Sequence, residues 1–245
     1  MMQVSFGVRI RGLDFSYNRP VFKAMSFELP LGSRTLLAGA NGVGKSTLLR
    51  LLAGRHWVPD GMIEVLGTSP FSDTAVSSEI AFVDHEFPLH VDLSVAELLA
   101  FHPGARPVDL RREKQLIDLL GLDPEWRIPK VSEGQKRRIQ LALALRHPVK
   151  LLLLDEVTAH LDLVIRTDFL TWLKSESEQH GLTIVYATHI LDGLGSWPSH
   201  LLLLGSNGRP TFSSISDIRE LTTESLFAYG ERWIREDLLG SSKLS

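Results

Sequence analysis

Nine residues limit what this chain can become: Gly39-Ala40-Asn41-Gly42-Val43-Gly44-Lys45-Ser46-Thr47. They fit the pattern G-x-x-x-x-G-K-[ST], a loop whose backbone N–H groups cradle phosphate. Gly39, Gly42 and Gly44 let the main chain turn tightly and approach an anion with no Cβ in the way. Lys45 sets a compact positive charge on the outer phosphates, and the Ser46 hydroxyl is placed to hold Mg²⁺. The flanks agree. Residues 35–38 read as a strand entering the loop, and residues 47–53 as a helix leaving it that Gly54 stops. The helix N-terminus then faces the phosphates. A plain Gly-rich turn is the competing reading, and the correctly placed strand and helix weigh against it.

The chain has 245 residues, enough for one large domain or a core with a modest subdomain. With 44% hydrophobic and 22% charged residues it reads as soluble and globular. A net charge of −3 gives no electrostatic footprint for direct nucleic-acid binding. The absence of cysteine excludes disulfides and thiolate metal sites and agrees with a cytoplasmic location. The start of the chain reads as a strand rather than a secretory leader. The longest apolar runs, such as residues 151–154 and 201–204, are too short to span a bilayer. Any role at a membrane would be peripheral, through a partner.

Residues 4–15 and 21–29 read as strands around a turn at Tyr17-Asn18-Arg19-Pro20, and Pro59-Asp60-Gly61 as a hairpin turn before a strand at 62–66. Residues 80–83 form a further strand. From Pro88 to about His147 the pattern becomes helical, with Ser94 capping 95–101, a helix at 110–120 stopped by Gly121, and another at 135–146. Residues 150–154 read as a buried parallel strand, 163–175 as a helix, and 182–187 and 201–204 as strands. The remainder is polar, with a helix-like piece near 224–239. This order predicts an α/β phosphate-loop nucleoside-triphosphatase core with a mixed sheet, an antiparallel β region at the N-terminus and a helical subdomain.

The strand at 150–154 ends in Asp155-Glu156, where open α/β sheets place their ligands. Asp155 can bind Mg²⁺ directly or through water, and Glu156 can take a proton from an attacking water. Two acids capping a buried strand are the bland alternative. Ser132-Glu133-Gly134-Gln135 opens a helix and offers a second anion site of N–H groups, hydroxyl and helix dipole; a plain N-cap would account for it equally well. Lys136-Arg137-Arg138 reads as a solvated helix face rather than a nucleic-acid patch. His85-Glu86-x-x-x-His90 is one residue too long for a zinc helix motif and is broken by Pro88.

Taken together, Tyr17, residues 39–47, Ser132 to Gln135, Asp155-Glu156, His160-Leu161-Asp162 and Thr188-His189 resemble, in order and spacing, the ABC-type ATPase domains. The likeness covers residues 4–205. Details such as Glu133-Gly134-Gln135-Lys136-Arg137-Arg138 and Tyr186-Ala187-Thr188-His189-Ile190 are similar to a soluble group of that family, which includes a fungal transcription-complex-associated ATPase and plant non-intrinsic ABC proteins. The resemblance implies an ATPase using ATP and Mg²⁺, with Lys45, Glu156 and His189 in catalysis. It implies that Tyr17 stacks on adenine, that Ser132, Gly134 and Gln135 contact the γ-phosphate held by a second copy, and that Asp162 communicates between sites. A catalytic core at 1–87 and 148–205, a helical subdomain at 88–147 and a C-terminal tail at 206–245 follow. The working unit implied is a head-to-tail homodimer formed on ATP binding. It would drive a separate transmembrane protein, docked near residues 87–99, or a soluble regulatory complex; a slow, ATP-dependent interaction module is the alternative.

Three positions depart from the family pattern. His85 stands where a Gln is usual, and Glu86 is expected to supply Mg²⁺ with the oxygen that His85 lacks. Glu133 replaces a Gly beside the γ-phosphate site and is expected to point away from it. Ala159-His160 replaces the commoner Ser-Gly before Asp162.

Overall fold

Alternating apolar and polar side chains build the outer layer. In β1 (Phe6–Ser16) Val8, Ile10 and Leu13 face inward, and in β2 (Pro20–Pro30) Phe22, Met25 and Leu29 do. The two strands pair antiparallel, with Val8 opposite Leu29 and Ile10 opposite Phe27. The structure is a computed structural model describing residues 6–87, 91–101, 108–191, 193–222 and 224–241. Val4, Pro88 and His90, which figure in the sequence reading, lie outside the described residues, as do residues 89, 192 and 242–245.

After β2 comes β3 (Arg34–Ala38), buried throughout, and then the phosphate loop and α1 (Lys45–Leu52). The chain returns through β4 (Ile63–Val65), which pairs with the free edge of β1 to complete the antiparallel sheet β2-β1-β4. A short helix α2 (Thr74–Ser77), capped by Asp73, leads into β5 (Ile80–Val83). The helical region follows as α3 (Val95–Ala100), α4 (Leu110–Leu120) and α5 (Glu133–Leu145). Local chemistry sets its boundaries. Ser94 and Glu97 form a reciprocal capping box, Asp109 caps α4, and Gly121 ends α4 in the left-handed region at φ 56°.

The remaining elements are β6 (Leu151–Asp155), α6 (Leu163–His180), β7 (Thr183–Ala187), β8 (His200–Leu204), β9 (Pro210–Ser214) and α7 (Leu226–Ser241). The central sheet runs β5-β6-β7-β3-β8-β9, parallel except for β9, which pairs antiparallel with β8. Strands β3, β6 and β7 are buried along their whole length because both faces are covered. On one face Leu36, Leu152, Leu154, Ile184 and Tyr186 meet the helices that carry Leu116, Ile139, Leu141 and Phe169. On the other Leu37, Leu151, Leu153 and Val185 meet Leu48, Leu49 and Leu52 of α1 and the inner side of the antiparallel sheet. Leu153 is fully buried in this second core. Leu153→Ala is therefore expected to cost about 2–5 kcal/mol, read as a lower urea midpoint with an unchanged slope.

Two parts were not foreseen from the sequence. Strand β9 lies in the stretch read as a polar tail; its Pro210-Thr211-Phe212-Ser213-Ser214 offers one large apolar side chain, and it succeeds as an edge strand with Phe212 stacked on His200 at 5.2 Å. Helix α6 runs to His180 rather than residue 175. Its polar last turns are held by burial with partners: Arg112 donates to Glu176 at 2.6 Å, and the Ser177 hydroxyl donates to the Gly32 carbonyl at 2.7 Å. Gly181 at φ 70° then stops it.

Candidate functional site

The phosphate loop joins β3 to α1 at the C-terminal edge of the central sheet. Two of its glycines cannot be replaced without rearrangement. A Cβ on Gly39 would stand 2.4 Å from the Leu204 carbonyl oxygen, and one on Gly44, at φ 107°, would stand 2.8 Å from both Val21 and Phe22. Helix α1 has no side-chain cap and no acid in its first turn, so its leading N–H groups are left for an anion. Lys45 Nζ folds back over the loop and donates to the carbonyls of Gly39 (2.9 Å) and Ala40 (3.0 Å). Burial pulls its ammonium below the ordinary lysine range, while Glu156 and Asp155 oppose that shift.

Strand register gathers the acids. β6 lies between β5 and β7, with Val83 opposite Leu154 and Asp155 opposite Ala187. Asp155 is 2% exposed, and burial raises its carboxyl above the usual range, with a hydrogen bond from Ser46 pulling the other way. Its Oδ2 is buried without a hydrogen-bond partner. A partnerless carboxylate oxygen beside the Ser46 hydroxyl fits a hard, oxygen-seeking ion such as Mg²⁺. Glu156 follows in the left-handed region at φ 54°, a conformation costing of order 1–3 kcal/mol that recurs at functional sites. Its N–H donates to the Ala187 carbonyl (2.9 Å), and its Oε1 lies 3.2 Å from His189 Nδ1. Thus the predicted Glu156 and His189 meet at the ends of neighbouring strands.

The end of β5 is arranged differently from the expectation. Glu86 points to solvent with its side chain 83% exposed, 3.7 Å from His85 Nε2. The oxygen beside His85 belongs instead to Asp84, at 2.7 Å from Nδ1. Asp84 was not among the candidates read from the sequence; an acid directly after an apolar, half-buried strand was the available signal. Arg50 approaches its other oxygen at 3.3 Å. From below, Arg137 Nη1 donates to the Asp84 carbonyl (3.0 Å), and Gln140 Nε2 donates to the carbonyls of Asp84 (3.1 Å) and Glu86 (3.0 Å). The solvated-face reading therefore fails at Arg137, which is 6% exposed and bound to Gln140 (2.7 Å). Lys136 instead holds Glu133, and Arg138 stands over the Trp126 ring.

At the hairpin tip Tyr17 is 52% exposed, edge-on to Phe15 and to His56, with its hydroxyl 2.8 Å from His56 Nε2. Nothing in the sequence singled out His56. Ser132 caps α5 in a reciprocal box: its hydroxyl accepts from the Gln135 N–H (3.2 Å), and the Gln135 side chain accepts from the Ser132 N–H (2.8 Å). A Cβ on Gly134 would stand 2.6 Å from the His160 carbonyl, so the helix start packs closely on the loop after Glu156. Glu133 pairs with Lys136 at 2.7 Å, and that hydrogen bond holds its carboxyl below the usual range. Asp162 caps α6 by accepting from the Ile165 N–H at 3.0 Å. Helices α1 and α5 lie on opposite faces of the central sheet. Among the described residues no hydrogen bond joins 132–135 to the phosphate loop.

A glycine loop at a helix start, with acids and a histidine at the ends of adjacent parallel strands, defines a phosphate-loop nucleotide-binding domain. Residues 22–159 match the family described as ABC transporter, and the chain belongs to that family as an ATP-binding cassette. It is 42% identical to ABC transporter I family member 21 of Arabidopsis thaliana, over 96% of this chain and 88% of that protein. It is 37% identical to CCR4-associated factor 16 of Saccharomyces cerevisiae, over 82% and 76%. A plant ABC protein and a fungal CCR4-associated factor are the kinds of relative that the motifs resemble. The fold matches a dimeric ATP-binding cassette in a post-hydrolysis state with ADP and phosphate (TM-score 0.72, 20% identity, 85% of this chain and 98% of that one). It also matches a bacterial Atm1-family exporter with ATP bound (TM-score 0.77, 23% identity, 96% and 42%). Among the described residues no helix is long and apolar enough to cross a membrane.

Proposed function

We propose that two copies of this chain close head to tail around ATP and Mg²⁺, hydrolyse the γ-phosphate and reopen, driving a partner through that motion. The observation that carries this reading is the Glu156–His189 pair, 3.2 Å apart, beside the buried and partnerless Asp155 oxygen. Lys45 would exchange the Gly39 and Ala40 carbonyls for phosphate oxygens, which restores the charge that burial disfavours. Ser46 and Asp155 would hold Mg²⁺, which supplies charge neutralisation at the phosphates. Glu156 would accept the proton of the attacking water, with His189 fixing the carboxylate from its own strand end. Tyr17, steadied by His56, would meet the base.

The second copy enters because α1 and α5 occupy opposite faces of one sheet. Ser132, Gly134 and Gln135 would then reach the γ-phosphate of the other copy, and Asp162 would border the joint. The core would comprise 1–87 and 148–205, and the helical subdomain 88–147. The partner would be a soluble complex or a separate transmembrane subunit; a relative named as a CCR4-associated factor supports the first, and one named as a sulfate/thiosulfate import ATP-binding protein supports the second. The Glu133–Lys136 pair at the start of α5 favours a second reading, a regulatory module with slow hydrolysis.

Complementation tests the shared site. Ser132→Arg and Lys45→Ala chains should each be inactive alone. Mixed, half of the dimers join one of each and contain one intact site of two, so roughly a quarter of the wild-type turnover should return. A mixture as inactive as its parts would place the whole site within one chain.

A further inference from the structure

The end of β5 carries a nitrogen where the nucleotide's cation needs only oxygen. One ligand atom from each of Asp84, His85 and Asp155 lies within 4.8 Å of the others. His85 Nδ1 is 2.7 Å from Asp84 Oδ1 and 3.9 Å from Asp155 Oδ2. Ligands held tetrahedrally at about 2.1 Å from one ion stand about 3.4 Å apart, and the separations of 2.7 and 3.9 Å lie on either side of that value. Independently of this grouping, Asp155 is almost fully buried and its Oδ2 lacks a hydrogen-bond partner. That oxygen faces the imidazole across a gap suited to an ion rather than to a hydrogen bond.

The surroundings hold the group in place. Arg137 and Gln140 bind the backbone carbonyls on either side of His85. Arg50 and Arg55 approach Asp84 Oδ2 at 3.3 and 3.9 Å, while Oδ1 accepts from the His85 N–H at 2.8 Å and lies beside the ring. Such fixing of ligand-bearing groups by outer partners raises affinity. The donor set then selects the ion. Mg²⁺ favours all-oxygen octahedra, whereas imidazole with carboxylates suits Zn²⁺ and its neighbours in the first transition row.

We propose that Asp84, His85 and Asp155 form a second cation site, one that takes Zn²⁺ when no nucleotide is bound. Neither Ser46 nor a phosphate belongs to this set, so it does not need ATP to assemble. Because Asp155 Oδ2 is common to both ions, Zn²⁺ and the Mg²⁺-nucleotide exclude each other; this consequence rests on the assignment of Asp155 to Mg²⁺ above. Zn²⁺ thereby acts as a brake on nucleotide loading.

Calorimetric titration of Zn²⁺ into the nucleotide-free chain, with millimolar Mg²⁺ present throughout, tests the site. One tight Zn²⁺ per chain is expected. His85→Gln should weaken it by about tenfold or more, since even an outer partner is worth that much, while His180→Gln, at the exposed end of α6, should not. Asp84→Asn should weaken it in the same way, and melting curves without metal establish that each variant is folded; the half-exposed His85 makes His85→Gln the decisive one. Equal Zn²⁺ affinity in His85→Gln and wild type, or loss of Zn²⁺ to millimolar Mg²⁺, overturns the site. Repeating the titration with a non-hydrolysable ATP analogue separates the two assignments. Weakened Zn²⁺ binding supports the shared oxygen, and unchanged binding leaves the Zn²⁺ site standing but removes Asp155 from the nucleotide's Mg²⁺.

Discussion

Glu156→Gln should lower ATP turnover by about 10²–10⁴-fold, the usual worth of a positioned general base. The amide keeps the size of the side chain and an oxygen for His189, now 3.2 Å away, but it cannot accept a proton from water. Glutamine also meets the same backbone demand at φ 54°, so the fold should persist. Phosphate release under saturating ATP and Mg²⁺ measures the loss, and nucleotide retention on the protein shows that binding survives. Turnover within about twofold of wild type would take Glu156 out of the proton-transfer role.

Lys45→Ala should abolish nucleotide binding while leaving a folded protein. In the free chain the ammonium satisfies two loop carbonyls at 2.9 and 3.0 Å, and burial works against its charge. Relief of that burial penalty offsets part of the two lost hydrogen bonds in the empty fold. Phosphate oxygens would lose the charge placed among them, and the freed Gly39 and Ala40 carbonyls would face the anion. A ligand at 100 times its Kd stabilises by about 2.7 kcal/mol, or roughly 5–11 °C in Tm for a chain of this size. Melting curves with and without Mg²⁺-ATP should show that rise for wild type and none for Lys45→Ala. A rise of equal size in both would contradict the role given to Lys45.

Much of this was legible before the structure because each signal is local. Residues 39–47 carry their own turn chemistry, Asp155 and Glu156 follow a run of four leucines that can only be a covered strand, and Ser94 and Gly121 mark helix ends by known capping preferences. What stayed hidden depends on contacts between distant segments. Arg137 looked like part of a charged surface until α5 packed under β5 and its guanidinium found the Asp84 carbonyl. Glu176 and Ser177 looked like residues beyond a helix because their partners, Arg112 and Gly32, are 64 and 145 residues away. Strand β9 has weak alternation of its own and exists because β8 offers an edge. Asp84 and His56 likewise gain meaning only from neighbours: His85 and Asp155 in one case, Tyr17 in the other.

If ATP joins two copies across a shared site, the mass of the slow variant shows it most directly. Sedimentation of Glu156→Gln should give a monomer without nucleotide or with ADP, and a dimer with saturating ATP and Mg²⁺. A Glu156→Gln protein that holds ATP and Mg²⁺ yet sediments as a monomer would contradict the account.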